Sequence, residues 1–414
     1  MSKLDELLRE LCPDGVEYKK LGEIATISRG GNFQKKDFLT EGVPCIHYGQ
    51  IYTKYGLFAD KTFTFISEEC AKKQKMARPN DIVMAVTSEN IEDVCKCLAW
   101  LGDEPVAVSG HSAIIHHNQN AKYLVYYFHS QMFFAQKRKL AHGTKVIEVT
   151  PDALVDIALP VPPIEIQREI VRILDNFTNL TAELTAELTA RGIQYSYYRN
   201  KLLTFHSDTK IVQLADIADI GTGSSNTNEA VEDGKYPFFV RSQEPLRKND
   251  FEYDETAIIT AGDGVGVGKV YHYIEGRYAL HQRAYRIHIN TPEVVPKYYF
   301  HYMKAKFLPY IQKTMFQGSV ASIRRPMLNA FPVPVPSLDV QNRIVKVLDN
   351  FEKICSDLNI GLPAEIEARQ KQYEYYRDKL LTFAENGNTI LSRAEQSRAE
   401  QSRAEQSRAE QSTD

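Results

Sequence analysis

A chain of 414 residues with a net charge of −3 has room for more than one domain and more than one buried core. Its apolar and charged fractions are those of an ordinary globular protein, which argues against a disordered, fibrous or strongly basic chain. No apolar run is long enough to span a bilayer, and Met1-Ser-Lys-Leu-Asp-Glu lacks the apolar stretch of a signal peptide, so a cytoplasmic protein without a membrane partner is expected. Cys12, Cys45, Cys70, Cys95, Cys97 and Cys355 show no zinc spacing, and Cys95-Lys96-Cys97 is too tight for a structural pair. Reduced thiols and no bound metal follow.

In chain order, residues 1–157 are rich in aromatics, glycine and β-branched runs such as Ile82-Val83-Met84-Ala85-Val86, the pattern of a mixed α/β region with twisted strands. Residues 158–207 read as one long helix. Pro162-Pro163 provides a stiff entry, and Ile170, Ile173, Leu174, Phe177, Leu180, Leu184 and Leu188 form a stripe at three- and four-residue steps. Thr181-Ala-Glu-Leu184 recurs at once as Thr185-Ala-Glu-Leu188. Residues 208–333 return to the mixed pattern, with Ala257-Ile258-Ile259-Thr260 as a strand and Ala261–Val270 as a glycine-rich turn. That turn fails the phosphate-loop spacing, having Asp263 and Val270 where Gly and Ser or Thr are required. Residues 334–385 form a second helical segment, interrupted at Gly361-Leu-Pro363. Residues 386–414 repeat Ser-Arg-Ala-Glu-Gln, a five-residue period that keeps no constant helical face and reads as a disordered tail.

The chain repeats itself across these segments. Tyr195-Ser-Tyr197-Tyr198-Arg199 through Phe205 returns as Tyr373-Glu-Tyr375-Tyr376-Arg377 through Phe383. Upstream, Pro160-Val161-Pro162, Gln167, Ile170-Val171 and Leu174-Asp175-Asn176-Phe177 return as Pro334-Val335-Pro336, Gln341, Ile344-Val345 and Leu348-Asp349-Asn350-Phe351. The mixed regions share a fainter frame: Leu21 with Leu214, Pro44 with Pro237, Gln50 with Gln243, Lys122-Tyr123 with Lys297-Tyr298, and Gly143-Thr144 with Gly318-Ser319. The expected fold is α+β: two mixed α/β domains in a pseudo-two-fold repeat, separated by two long helices paired as an antiparallel coiled coil.

A catalytic constellation is missing. There is no HExxH, no GxSxG, and no Asn or Asp before Pro-Pro and an aromatic, as an adenine methyltransferase would need. Loops dense in hydrogen-bonding side chains are present instead. The first region offers Arg29, Asn32, Gln34, Lys35, His47, Tyr48 and Gln50, with His111 and Lys145 beyond. The second offers Thr222, Ser224, Asn226, Arg241, Gln243, Arg283, Arg286, Arg324 and Arg325. Arg, Asn and Gln read guanine and adenine edges bidentately, while Lys, Ser and Thr suit phosphates. Taken singly, each cluster is more often a solvated face; their occurrence at matching positions in both regions brings the two readings level. His111 and His281 occupy similar places after a strand, which makes them candidate ligand contacts.

The paired Leu-Asp-Asn-Phe helices, the paired Tyr-x-Tyr-Tyr-Arg-x-Lys-Leu-Leu-Thr-Phe ends, Leu362-Pro-Ala-Glu-Ile366-Glu-Ala-Arg369 and the Thr-Ala-Glu-Leu tandem together resemble the specificity subunit of type I restriction–modification enzymes, IC branch, over residues 1 to about 383. The resemblance implies two target recognition domains, each reading half of a bipartite double-stranded DNA sequence. It implies that the repeated helices dock two copies of an adenine-N6 methyltransferase subunit using S-adenosylmethionine. ATP- and Mg2+-dependent translocation and cleavage would belong to restriction subunits, leaving this chain non-catalytic and without a cofactor of its own. By this resemblance Phe177, Tyr195, Tyr198, Leu202, Phe351, Tyr373, Tyr376 and Leu380 belong to the spacer and partner surface. The Ser-Arg-Ala-Glu-Gln tail is not part of the family pattern, and Gly361-Leu-Pro-Ala-Glu-Ile366 replaces the tandem in the second spacer.

Overall fold

A computed structural model describes residues 2–314 and 322–383. The expectations for Gly318-Ser319 and for the Ser-Arg-Ala-Glu-Gln tail lie outside the described residues. The chain divides into two compact units, and the division does not follow the sequence segments. The first comprises Met1–Glu183 together with the chain from Glu367 onward; the second comprises Leu184–Ile366.

In the first unit a five-stranded sheet runs in the order Ala25–Arg29, Ser112–His117, Ile82–Ala85, Cys97–Trp100, Phe58–Ala59. A four-stranded sheet, in the order Thr64–Ile66, Val43–Ile46, Val106–Val108, Lys75–Ala77, is built from strands interleaved with these along the chain. In the second unit these merge into six strands: Ala218–Thr222, Ala284–Ile289, Tyr253–Ala261, Tyr271–Leu280, Tyr236–Phe239, Leu246–Lys248. The apolar runs seen in the sequence are the central strands: Ile82 to Val86 and Ala257 to Ile259 are all fully buried.

The matched phrases make matched contacts. The helix after Pro162-Pro163 spans Ile164–Leu202, 39 residues, a reach of about 58 Å. Near its start Gln167 is fully buried. It donates to the Pro162 carbonyl at 2.8 Å and accepts the Asn120 N–H at 3.0 Å. Gln341, equally buried, donates to Pro336 at 2.8 Å and accepts from Val295 N–H at 2.8 Å. Tyr123 and Tyr298 each donate to a proline carbonyl, Pro160 and Pro334, at 2.9 Å. A buried amide or phenol must be satisfied, so these polar residues specify how each helix seats on its own domain.

The helical stripes serve two purposes at once. In the first unit Ile166, Ile170 and Leu174 enter a core that also takes in Tyr373, Leu380 and Leu381 from the distant helix Leu362–Leu381. In the second, Ile344 and Leu348 of helix Leu338–Ser356 share a core with Leu203, and Tyr195, Leu202 and Phe205 pack against it. Each Tyr-rich end therefore packs on the domain of the other repeat. Phe177 stacks on Tyr376 at 5.3 Å, and Phe351 on Tyr198 at 5.8 Å. Pairing 177 with 376 and 195–198 with 351 is the order of antiparallel partners. The expected break is present: one helix ends at Ser356 and the next begins at Leu362. At Gly361 a Cβ would fall 2.6 Å from the Lys353 carbonyl oxygen, which is why the chain turns on a glycine there.

Candidate nucleic-acid interface

The first sheet strand of each unit runs into a turn that presses against the loop feeding its neighbour. At Gly30 a Cβ would lie 2.3 Å from the Ser109 carbonyl oxygen, and at the equivalent Gly223 one would lie 1.8 Å from that of Leu280. Only glycine allows this approach. Backbone hydrogen bonds then fix which residues correspond. Ser109 N–H donates to Ile46 and Ser112 N–H to Ser109, as His281 N–H donates to Phe239 and Ala284 N–H to His281. Val86 N–H donates to the His111 carbonyl and Gly262 N–H to that of Arg283, both at 2.9 Å. His111 therefore corresponds to Arg283, and Ser109 to His281. This corrects the expectation that His111 and His281 occupy similar places after a strand. Continuing the frame places Tyr48 opposite Arg241 and Thr87 opposite Asp263.

These three positions meet in both units. In the first, the Tyr48 ring lies 4.9 Å from that of His111, and Thr87 Oγ1 is 3.1 Å from His111 Nδ1. In the second, Asp263 accepts from Arg241 Nη1 at 2.6 Å and from Arg283 Nη1 at 3.2 Å. One backbone site thus carries an aromatic, a hydroxyl and an imidazole in one unit, and two arginines clasped by a carboxylate in the other. The structure brings together Tyr48 and His111, and Arg241 and Arg283, which stand out in the sequence by residue type, and adds Thr87 and Asp263, which do not. The glycines around Asp263 were the available signal, since they mark where backbone and ligand can approach.

His47 and His281 lie beneath these positions. Burial, then Lys35 and His111, depress the His47 pKa, and its Nδ1 accepts the Gly49 N–H at 3.2 Å. Burial, then Arg241 and Arg283, depress that of His281, whose Nδ1 accepts the Arg283 N–H at 3.0 Å. Both are neutral acceptors that shape the loops.

Around the Tyr48 group, exposed Arg29 pairs with Glu148, and Asn32 and Gln34 line an open hollow with Lys36, Ser67, Lys73 and Gln74. Lys35 and Lys145 are exposed. Gln50 is buried; its side chain caps the helix Tyr48–Thr53 and bonds Thr64, so it is engaged within the fold. Around the arginine pair, Thr222 and Gln243 are exposed. Ser224 N–H donates to Glu252 at 2.9 Å, and Asn226 Oδ1 accepts from Gln282. Arg324 is exposed at the start of helix Arg325–Asn329, whereas Arg325 donates to the Ile220 carbonyl. Arg286 is held by Glu255 and Asp219 and braces the sheet.

On the helices, Phe177, Tyr195, Leu202, Phe351, Tyr373, Tyr376 and Leu380 make the internal contacts. The tyrosines that face outward are Tyr197 and Tyr375, at equivalent places in the repeat and each 59% exposed, with Tyr198 at 38%. Among the described residues the group with metal-ligand character is His301, Asp349 and Glu352. Its carboxylates already have partners: Lys304 Nζ is 2.6 Å from Glu352, and His301 Nε2 is 2.7 Å from Asp349. The same place in the first unit holds Tyr126 and Lys122 on Asp175, at 2.7 and 2.8 Å. Both are polar seats for the helices.

The matches to known proteins agree with this architecture. The family model described as the type I restriction modification DNA specificity domain matches twice, over residues 13–191 and 206–368. A type I restriction enzyme specificity subunit of Escherichia coli is 37% identical over 251 residues, which is 54% of this chain and 61% of that subunit's length. A putative specificity subunit of Haemophilus influenzae is 28% identical over 311 residues, 69% of this chain and 77% of its own length. The solved S subunit of a type I restriction-modification system from M. genitalium shares the fold, with a TM-score of 0.58 at 14% identity, covering 89% of this chain and 96% of that one. With two copies of the domain, each ending in one glycine-braced cluster of divergent side chains, the chain belongs to the type I restriction–modification DNA specificity family.

Proposed function

We propose that this chain is the non-catalytic specificity subunit of a type I restriction–modification complex, and that each unit reads one half of a bipartite double-stranded DNA target. The observation that carries this is the pair of equivalent clusters, Tyr48–Thr87–His111 and Arg241–Asp263–Arg283, which keep one backbone frame and change its chemistry. A reader of two different half-sites needs that combination. The outward tyrosines Tyr197 and Tyr375, repeated once per unit, supply two equivalent docking faces for two methyltransferase subunits. In the assembled complex those subunits would use S-adenosylmethionine for adenine-N6 methylation, and restriction subunits would use ATP and Mg2+, in the cytoplasm. The helices hold distance and recruit catalysts, while the loops carry specificity.

Arg29→Glu and Arg241→Glu test the DNA reading. In a complex reconstituted with the methyltransferase subunits, each reversal should weaken DNA binding. A lost phosphate contact also lowers the slope of log affinity against log salt by about one. Affinity indifferent to salt and to both reversals would favour a scaffold that binds protein alone.

A further inference from the structure

The arginine pair of the second unit permits a sharper statement about what it reads. Arg241 and Arg283 each use one Nη1 on the shared Asp263 carboxylate, and no other side-chain bond is recorded for either among the described residues. Among the described residues the Nε–Nη2 edge of each guanidinium takes no partner, leaving two parallel donors in the fork that fits adjacent acceptors. Their side chains are 42% and 59% exposed, whereas that of Asp263 is 23% exposed. The carboxylate is thus set back, and the cations face outward.

The loop that supplies Asp263 is shaped for close approach. Gly264 has φ +84°, a conformation that side chains disfavour, and two residues beyond Asp263 the Val265 side chain stands 96% exposed. A surface arginine left to itself samples many rotamers; two pinned to one acid have lost most of that freedom before any ligand arrives. A guanidinium fork also fits a phosphate, but two forks held in place by one acid gain most at a base edge, whose paired acceptors are fixed in position and direction.

We infer that Arg241 and Arg283 each read a guanine in the half-site of the second unit, with Asp263 as the residue that positions both. Guanine is the base that presents two acceptors, O6 and N7, side by side in the major groove, matching the free edge of each guanidinium. The equivalent positions in the first unit, Tyr48, Thr87 and His111, carry no such fork, so the two half-sites differ at the bases facing these positions. The inference rests on the reading of the units as DNA readers and adds the class of base to it.

The test is methylation-site sequencing in cells carrying the full chain with its partner subunits, for the parent chain and for Arg241→Gln, Arg283→Gln and Asp263→Asn. The parent half-site assigned to the second unit should contain two guanines, on either strand. Each arginine variant should lose discrimination at one of them, roughly ten- to hundredfold, and leave the other half-site unchanged. Asp263→Asn should relax both guanine positions together while the thermal transition of the second unit stays in place, and Asp263→Glu should restore discrimination in part. If Asp263→Asn instead lowers that transition, the two arginine variants decide the matter by themselves. A parent half-site without guanines, or arginine variants with an unaltered half-site, would overturn the inference while leaving the DNA reading intact. A parent chain that directs no bipartite methylation would overturn the reading beneath it.

Discussion

Deleting the chain from Glu367 onward should unfold the first unit and leave the second standing. The deleted helix supplies Tyr373, Leu380 and Leu381 to the first unit's core, with exposures of 6%, 7% and 0%. Burying three such side chains contributes roughly 5–8 kcal/mol, comparable with the ~5–15 kcal/mol that holds a typical domain folded. The deletion also strips Asp378 from the Gln131 N–H, at 3.2 Å, and removes the ring of Tyr376 from Phe177. The second unit keeps its equivalents, Leu203 and Tyr195, because they come from the first copy of the repeat. Calorimetry with hydrogen exchange should therefore show protection lost in strands Ile82–Ala85 and Ser112–His117 and retained in Tyr253–Ala261. Replacing residues 373–383 with the sequence of 195–205 should preserve the first unit, since the two copies seat on equivalent surfaces. Equal loss in both units would contradict the exchanged packing.

Lengthening the spacer should change the target without changing what is read. The boundary between the units in the long helix falls between Glu183 and Leu184, inside the Thr-Ala-Glu-Leu tandem. One more quartet adds about 6 Å of rise and turns the helix about 40° past a full revolution. It enters where Glu183, Thr185, Ala186 and Glu187 are exposed, so neither core is disturbed. The returning segment is already broken at Asp357–Gly361 and can absorb the change there. DNA rises about 3.4 Å per base pair, so the non-specific gap should grow by one or two base pairs with both half-sites kept. Methylation mapping of the insertion variant decides it; an altered half-site, or an unaltered gap, contradicts the idea.

The repeat, the long helix and the break before Leu362 were legible because they rest on periodicity and on glycine and proline, which act locally. The exchange of Tyr-rich ends was not. Two identical stripes can pack on either domain, and only the closure of the chain decides that Tyr373 meets Tyr126, at 6.2 Å, in the first unit. The clusters were half legible. Arginine and histidine stand out by type, but Thr87 and Asp263 gain meaning from strand register, and register between two diverged copies is blurred by loops of different length. Similar places after a strand misled at His111, whose counterpart by backbone hydrogen bonding is Arg283. Gln50 misled for another reason: an amide that suits an adenine edge serves equally well as a helix cap.

In the proposed function, one frame, used twice, reads two different half-sites at a fixed separation. Sequencing for N6-methyladenine in cells that carry this chain with its partner subunits tests it most directly. The expected result is one bipartite motif: two unlike specific halves with a non-specific gap of constant length. A continuous motif, two identical halves, or a gap that varies from site to site would contradict it.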